Sequence, residues 1–366
     1  MTKKISSTAF LVFRLGVTLL FLLSLFAIDF DNPKDIVSIT TLHRIAHPHV
    51  LFHVVETNLL KIVRLISDGA WQYITAALGV HLACIGLLTV RWQMLLSLQG
   101  MRIGFFRLFA YYLIGFFFNN FLPTNIGGDI SRVINTAKHK GKTVESVAVV
   151  FMERFIGFLA VFVLALVSML LNRQWIGNLP ALYALVLFAF AIGATLLVLF
   201  NKTIRTAVKT LIARVGFIHL NNTLAKLFQS IQLFQGNARA LVVVLALSFV
   251  YQFVLALYTM LAAHGVHAPA PFFPVFFVIQ ITTLICVIPI SMNGLGVREY
   301  LYVQILLLSG VPAERTMALQ LVLFCIMYFE SLMGGCLFLL QKGIKKARDT
   351  GMFTASSLGG KIGSHK

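Results

Sequence analysis

Two arginines stand in matching surroundings. Pro123, Gly128 and Arg132 share the spacing P-x4-G-x3-R with Pro289, Gly294 and Arg298, and each set interrupts otherwise apolar sequence. A guanidinium at such a break can hold a phosphate by planar two-point contact. The half-helix that starts beside it aims its positive dipole end at the same place. Gly127, Gly128, Gly294 and Gly296 permit sharp turns and leave backbone N–H groups uncovered, while Asn120, Asn125 and Asn293 add polarity. Asp129 is placed to cap its half-helix. The expectation is a head-group phosphate held between Arg132 and Arg298. The competing reading makes Asp129 with Arg132, or Arg298 with Glu299, internal ion pairs that only stabilise broken helices. A charge inside a bilayer costs at least about 2.5 kcal/mol, which favours a functional role.

Each break is followed by an apolar run with a lone acid in its middle, Glu153 in FMERFIG and Glu330 in MYFES. At about 1.5 Å per residue, Glu153 lies about 16 Å from Lys142 and Glu330 about 18 Å from Lys342, near a bilayer midplane. Glu153 and Arg154 are neighbours whose side chains diverge by about 100°, so each needs its own partner. Glu153 can pair with a break arginine or carry a proton. Arg154 can join the phosphate site or reach for the interface. Glu330 can carry a proton or hydrogen-bond a neighbouring helix. No local nucleophile and base pairing is present, so no catalytic residue is assigned and the chain is not read as an enzyme. His43, His47, His49 and His53 suggest a metal, but Pro48 interrupts them and no acid completes H-E-x-x-H. A tilted interfacial helix suits them better, and no metal or cofactor is assigned.

The elements that must position these groups are membrane helices. The chain is 59% hydrophobic and 11% charged, which excludes an ordinary soluble domain. The fold class is all-α and polytopic, with about six full spans: Ala9–Ile28, Trp71–Val90, Val147–Leu171, Ala181–Phe200, Ala240–Ala263 and Thr316–Leu340. Two re-entrant helix pairs, with tips near Pro123 to Asp129 and near Pro289 to Arg298, bring the hydrophobic segments to eight. Arg91, Arg102 and Arg107 mark the inner face, and Arg14 is read as reaching back to the membrane surface nearest it. Residues 1–348 form one membrane domain, with candidate inverted halves at 71–200 and 240–341, and 349–366 a disordered cytoplasmic tail. Broken helices meeting at the midplane of an inverted repeat are a transporter design.

A net charge of +18 suggests nucleic acid at first, yet the basic residues flank apolar runs. They set orientation, with both termini in the cytoplasm, and nucleic acid is not expected as a partner. Thr203–Phe234, basic and apolar by turns, suits a helix lying on anionic lipid. Cys84, Cys286, Cys325 and Cys336 lie in apolar runs without ligand-like spacing.

LPTNIGGDISR, then VFMERFIG, then PISMNGLGVRE resemble the flippase-like integral membrane family that includes the membrane region of lysylphosphatidylglycerol synthases. The resemblance implies a bacterial cytoplasmic-membrane protein that translocates or exposes a lipid. It implies that Pro123, Gly127, Gly128, Asp129, Arg132, Glu153, Arg154, Asn293, Gly294, Gly296, Arg298 and Glu299 line or shape the path. The synthases add a soluble aminoacyltransferase domain, absent from this sequence, so lysyl transfer is not implied. The expected function is movement of an anionic or phosphate-bearing lipid. The alternatives are a membrane-embedded enzyme of lipid or glycolipid modification and a scaffold for one.

Overall fold

The computed structural model describes residues 48–121, 126–171, 179–200, 236–287 and 294–349, with isolated positions at 14–16, 18, 19, 206, 230, 234 and 291. Most of the expected span at Ala9–Ile28, most of the Thr203–Phe234 segment and the tail after Asp349 lie outside these residues, as do Pro123, Asn125 and Asn293.

Every element among the described residues is a helix. In order they are α1 (Pro48–Ser67), α2 (Trp71–Leu98), α3 (Phe105–Phe121), α4 (Gly127–Lys140), α5 (Thr143–Leu171), α6 (Leu179–Phe200), α7 (Ala238–Gly265), α8 (Phe272–Val287), α9 (Val297–Leu307) and α10 (Ala313–Asp349). Four of them, α2, α5, α7 and α10, are long and apolar enough to cross a membrane. A 28-residue helix such as α2 rises about 42 Å, against about 30 Å of hydrocarbon. Their outer faces expose Leu170, Val242, Phe253 and Leu339, while Arg91, Arg132, Glu153, Gln280 and Glu330 are buried between helices. Polar inside and apolar outside is the arrangement lipid selects. The chain is a multi-pass helical membrane protein.

Four of the six expected spans coincide with the four long helices, and most of the first, Ala9–Ile28, lies outside the described residues. Among the described residues, Phe272–Val287 and Leu185–Thr195 are shorter apolar helical stretches beside the four long ones. Two helices also outrun their expected ends. Sequence reading stops the second span at Val90 because Arg91 follows, but α2 continues to Leu98 with Arg91 buried inside. Trp92, Leu95 and Leu96 are buried beyond it and carry the helix on. Arg91 therefore does not mark a membrane surface. Helix α10 likewise continues past Leu340 to Asp349.

Two helix pairs are broken where the sequence breaks. Helix α4 folds back along α3: the Gly128 N–H donates to Asn119 Oδ1 at 2.7 Å, and four residues further along α4, Arg132 lies against Gly115, four residues back on α3. Gly128 is helical, so its value is close approach rather than a turn. A Cβ there would run into the Gly115 carbonyl and the Asn119 amide. In the second pair, Gly294 and Gly296 carry φ of 76° and 83°, the left-handed region that suits glycine. Glu299 Oε2 accepts the Gly296 N–H at 2.6 Å, which satisfies an N-terminal donor of α9. Arg14 donates from Nη2 to the Ser291 carbonyl at 2.8 Å. It is drawn into this second break rather than toward the membrane surface expected for it.

The centre of the fold is the antiparallel pair α2 and α7, each 28 residues long, which makes the most extensive helix contact among the described residues. Ile74 abuts Gly265, the His81 ring packs on Tyr258, and Arg91 bonds Ser248. Seven residues forward on α2 are matched by seven back on α7, then ten by ten. His81 and Ser248 are each the eleventh residue of their helix, and Arg91 and Tyr258 each the twenty-first, so exchanging the helices turns one pair into the other. Several further helix contacts obey the same exchange. Helix α3 packs on α10 as α8 packs on α5, α2 touches α5 as α7 touches α10, and α4 meets α5 as α9 meets α10.

Candidate functional site

A buried charge cluster forms where α2, α3, α4 and α5 meet. Glu153, 1% exposed, is its hub. It accepts from Arg132 through Oε2, from Tyr112 at 2.7 Å and from Arg91 at 3.2 Å through Oε1. Arg91 spends its other terminal nitrogen on Ser248 Oγ at 2.9 Å. The Arg132 guanidinium sits in the corner made by two aromatic rings, 4.2 Å from the Trp92 centroid and 4.1 Å from the Tyr112 centroid. Ring faces and carboxylate oxygens together replace the water a guanidinium gives up on burial.

Arg154, one residue on, points the other way, as neighbours on a helix must. Its Nε and Nη2 hold Asp129 Oδ2 and Oδ1 at 2.9 and 3.0 Å, and its side chain is 46% exposed. Asp129 also lies 3.5 Å from Arg132. The expected capping role of Asp129 is not its role here: no side-chain cap bond forms at the start of α4, and it is Asn119 that takes the Gly128 N–H. Three arginines against two carboxylates leave this half of the site one positive charge.

Two cavities open beside the cluster. The smaller, about 250 Å³, is bordered by Arg91, Tyr112, Arg132 and Glu153. The larger, about 600 Å³, reaches Arg298, Tyr302, Thr282 and Gln320. Asn119, Asp129, Arg154 and Thr283 border both, so the two cavities adjoin, with the Asp129–Arg154 pair on the shared wall. Arg298 binds Glu299 Oε1 through Nε at 3.1 Å and Nη2 at 3.0 Å. That leaves Nη1 with a long contact to the Met327 sulfur at 3.9 Å. Thr282 Oγ1 and Gln320 Nε2 are buried at the larger cavity with no hydrogen-bond partner. Buried polar atoms of this kind cost free energy unless something in the cavity meets them.

Glu330 lies apart from the cluster, on α10, and borders neither cavity. It is wholly buried and meets His81 Nδ1 at 2.6 Å through Oε2, while its Oε1 has no partner. His81 borders the larger cavity and packs on Tyr258 with ring centroids 4.4 Å apart. Asn120 is turned out of both cavities and donates to Ser331 Oγ, which ties α3 to α10. Among the described residues no group of three or more His, Cys, Asp and Glu side chains is placed to hold a metal; His49 and His53 are exposed on α1.

The structure thus gathers Gly128, Asp129, Arg132, Glu153 and Arg154 into one site and places Arg298 on the adjoining larger cavity. Sequence reasoning missed Arg91, Trp92, Tyr112 and His81. For Arg91 and His81 the signal was present, since an ionisable residue inside a long apolar helix marks a polar interior.

No curated protein and no solved structure matches this chain. One family does, described as the lysylphosphatidylglycerol synthase TM region, over residues 36–334. Those residues hold the buried cluster, both broken helix pairs and both cavities, and the chain belongs to that family.

Proposed function

We propose that the protein is a lipid-translocating transporter rather than an enzyme, and that it moves a phosphate-bearing head group across the bacterial cytoplasmic membrane. The observation that carries this reading is a pair of adjoining cavities inside an apolar helical shell, with Arg154 on their shared wall and Arg298 bordering the larger. A head group would lie in the larger cavity while its acyl chains stay in the bilayer. Its size is within the range of small-molecule pockets.

The phosphate contacts fall to Arg154 and Arg298 in this reading. Arg132 spends its two terminal nitrogens on Asp129 and Glu153, its Nε is buried without a partner and its faces are covered by rings, so it acts as an internal strut. Arg154 needs only to trade Asp129 for phosphate oxygens, and Arg298 offers Nη1. Thr282 and Gln320 would complete the contacts with the head group. The exchange relation between α2–α5 and α7–α10 supports an inverted pair of halves, the broken pairs entering from opposite membrane faces and both termini in the cytoplasm. Rocking of the halves across the α2–α7 contact would change which side the cavity faces.

Head-group translocation in proteoliposomes tests this, with fluorescent phosphatidylglycerol, a zwitterionic lipid and a polyprenyl phosphate as probes. Protein-dependent movement of a chemically unchanged phosphate lipid, lost in Arg154→Ala and in Arg298→Ala, is the expected result. No movement of any probe, or recovery of a chemically altered lipid, would overturn the proposal.

A further inference from the structure

The His81–Glu330 contact is built unlike the other ion pairs of the interior. Glu153 is surrounded by two arginines and a phenol, and Asp129 by two arginines. Among the described residues, the ion-pair partner of Glu330 is an imidazole. An imidazole is the one side chain whose charge changes readily near neutral pH. The second carboxylate oxygen, Oε1, is buried and has no partner, so a site for one more proton is already present. His81 faces the larger cavity, which gives that proton a route.

We infer that His81 and Glu330 form a proton-binding site that couples head-group movement to a proton gradient. The inference rests on the transporter reading above. With a neutral imidazole donating Nδ1–H to the carboxylate, the pair carries one negative charge. A proton from water on one side of the membrane adds at His81 Nε2 or at Glu330 Oε1, forming one N–H or O–H bond and bringing the pair to zero. The same bond breaks when the cavity faces the other side, and the proton returns to water there.

The negative pair repels a phosphate in the adjoining cavity, and the neutral pair does not. Repulsion between like charges in a low-dielectric interior makes loading depend on the proton. Phosphate and proton therefore load together and leave together, as a symport of one proton with one head group.

The other ionisable groups around the pair are fixed by the packing. Cys84 lies on α2 with His81, and Tyr251 and Tyr258 on α7 interact electrostatically with Glu330. Helix α9 brings Arg298 and Tyr302 against Tyr258. Helix α3 brings the neutral Asn120 to Ser331, next to Glu330. Helix α1, which also packs on α10, carries His49, His53, Glu56, Lys61 and Arg64. His81 is the one ionisable group of this set that touches the Glu330 carboxylate.

The test uses the intact protein in proteoliposomes with fluorescent phosphatidylglycerol or a fluorescent polyprenyl phosphate, read as the ratio of probe between leaflets. With one proton per head group, the limiting ratio moves about tenfold per unit of imposed pH gradient, toward the alkaline side. For the singly charged phosphatidylglycerol the coupled step carries no net charge, so a potassium diffusion potential leaves the ratio unchanged. The double variant Glu330→Gln with His81→Gln, which keeps neither proton-accepting group, holds the ratio at unity under the same gradient. A lumenal pH dye gives a second reading on the wild-type chain alone, in which inward probe movement acidifies the lumen.

A wild-type protein that equilibrates the probe but ignores the pH gradient and moves no protons overturns this inference and leaves the transporter reading standing. Gradient-driven accumulation that persists in the double variant overturns it as well. Failure to move any probe, with or without a gradient, removes the transporter reading and this inference with it.

Discussion

Asp129 and Arg154 meet through two parallel hydrogen bonds on the wall that the two cavities share. The pair is half open to the cavity, unlike the sealed cluster around Glu153 one residue away. A phosphate arriving in the larger cavity competes with Asp129 for the same guanidinium edge. Arg154→Ala is expected to slow head-group translocation at least tenfold, since a charged hydrogen bond contributes about 1.5–3 kcal/mol. Arg154→Lys keeps the charge but loses the planar fork, and should recover only part of the rate. Proteoliposome translocation assays of both variants check this. Equal rates for wild type and Arg154→Ala would take Arg154 out of the site.

Glu153 holds the other side of α5 in place. Its replacement by glutamine leaves Arg91 buried without a counter-charge and Arg132 with only its 3.5 Å contact to Asp129, and an orphaned buried charge destabilises by about 3–5 kcal/mol. The expected outcome is a large fall in the thermal midpoint of the detergent-solubilised protein. Replacing Glu153, Arg132 and Arg91 together by apolar residues of similar volume should recover much of that stability, because no unpaired charge then remains. A Glu153→Gln protein with the wild-type melting profile would show that the cluster is not a strut.

The close crossing of α3 and α4 depends on one missing side chain. Gly128→Ala places a methyl group against the Gly115 carbonyl and the Asn119 amide, and overpacking of this kind costs about 1–3 kcal/mol. Gly79→Ala, in α2 with open space around it, is the matched control and should be neutral or slightly stabilising. Melting midpoints of the two variants decide it, with equal values counting against the crossing.

The α2–α7 pairing fixes a register that chemistry can read. Leu98 and Leu241 both pack in the cluster around Trp92 and lie seven residues beyond the Arg91–Ser248 contact in opposite directions. Cysteines at these two positions, in a background without the four native ones, are expected to be joined by a short bifunctional maleimide. Leu98→Cys paired with Val266→Cys, at the far end of α7, should not react. Cross-linking of the second pair in place of the first would reverse the relative direction of the helices.

Much of this was legible in the sequence, and the parts that were not have physical reasons. The breaks after Phe121 and Val287 announce themselves because Pro, Asn and Gly are costly in a lipid-facing helix. The lone acids Glu153 and Glu330 were visible for the same reason. Their partners were not, because Arg91 and His81 lie 62 and 249 residues away and only the fold brings them close. Arg91 was read as the end of a helix since a hydropathy window treats a charge as exposed, whereas here a carboxylate on α5 compensates it. Arg132, expected at the head-group phosphate, is instead buried against Glu153, and Arg154, expected at that site or at the interface, lies on the cavity wall beside Asp129. Distance from the break favours Arg132 for the cavity, but the face that α5 turns inward carries Glu153, which draws Arg132 in and leaves Arg154 outside.

The corner that holds the Arg132 guanidinium has an optical consequence. Trp92 is an indole with a cation 4.2 Å from its centroid, at the junction of the helix pair with the charge cluster. Any rearrangement that slides α4 along α2 changes the field across that indole, and with it the colour and yield of its fluorescence. The protein thus carries a native fluorophore beside the groups proposed to move, able to report each access change in real time without a chemical label.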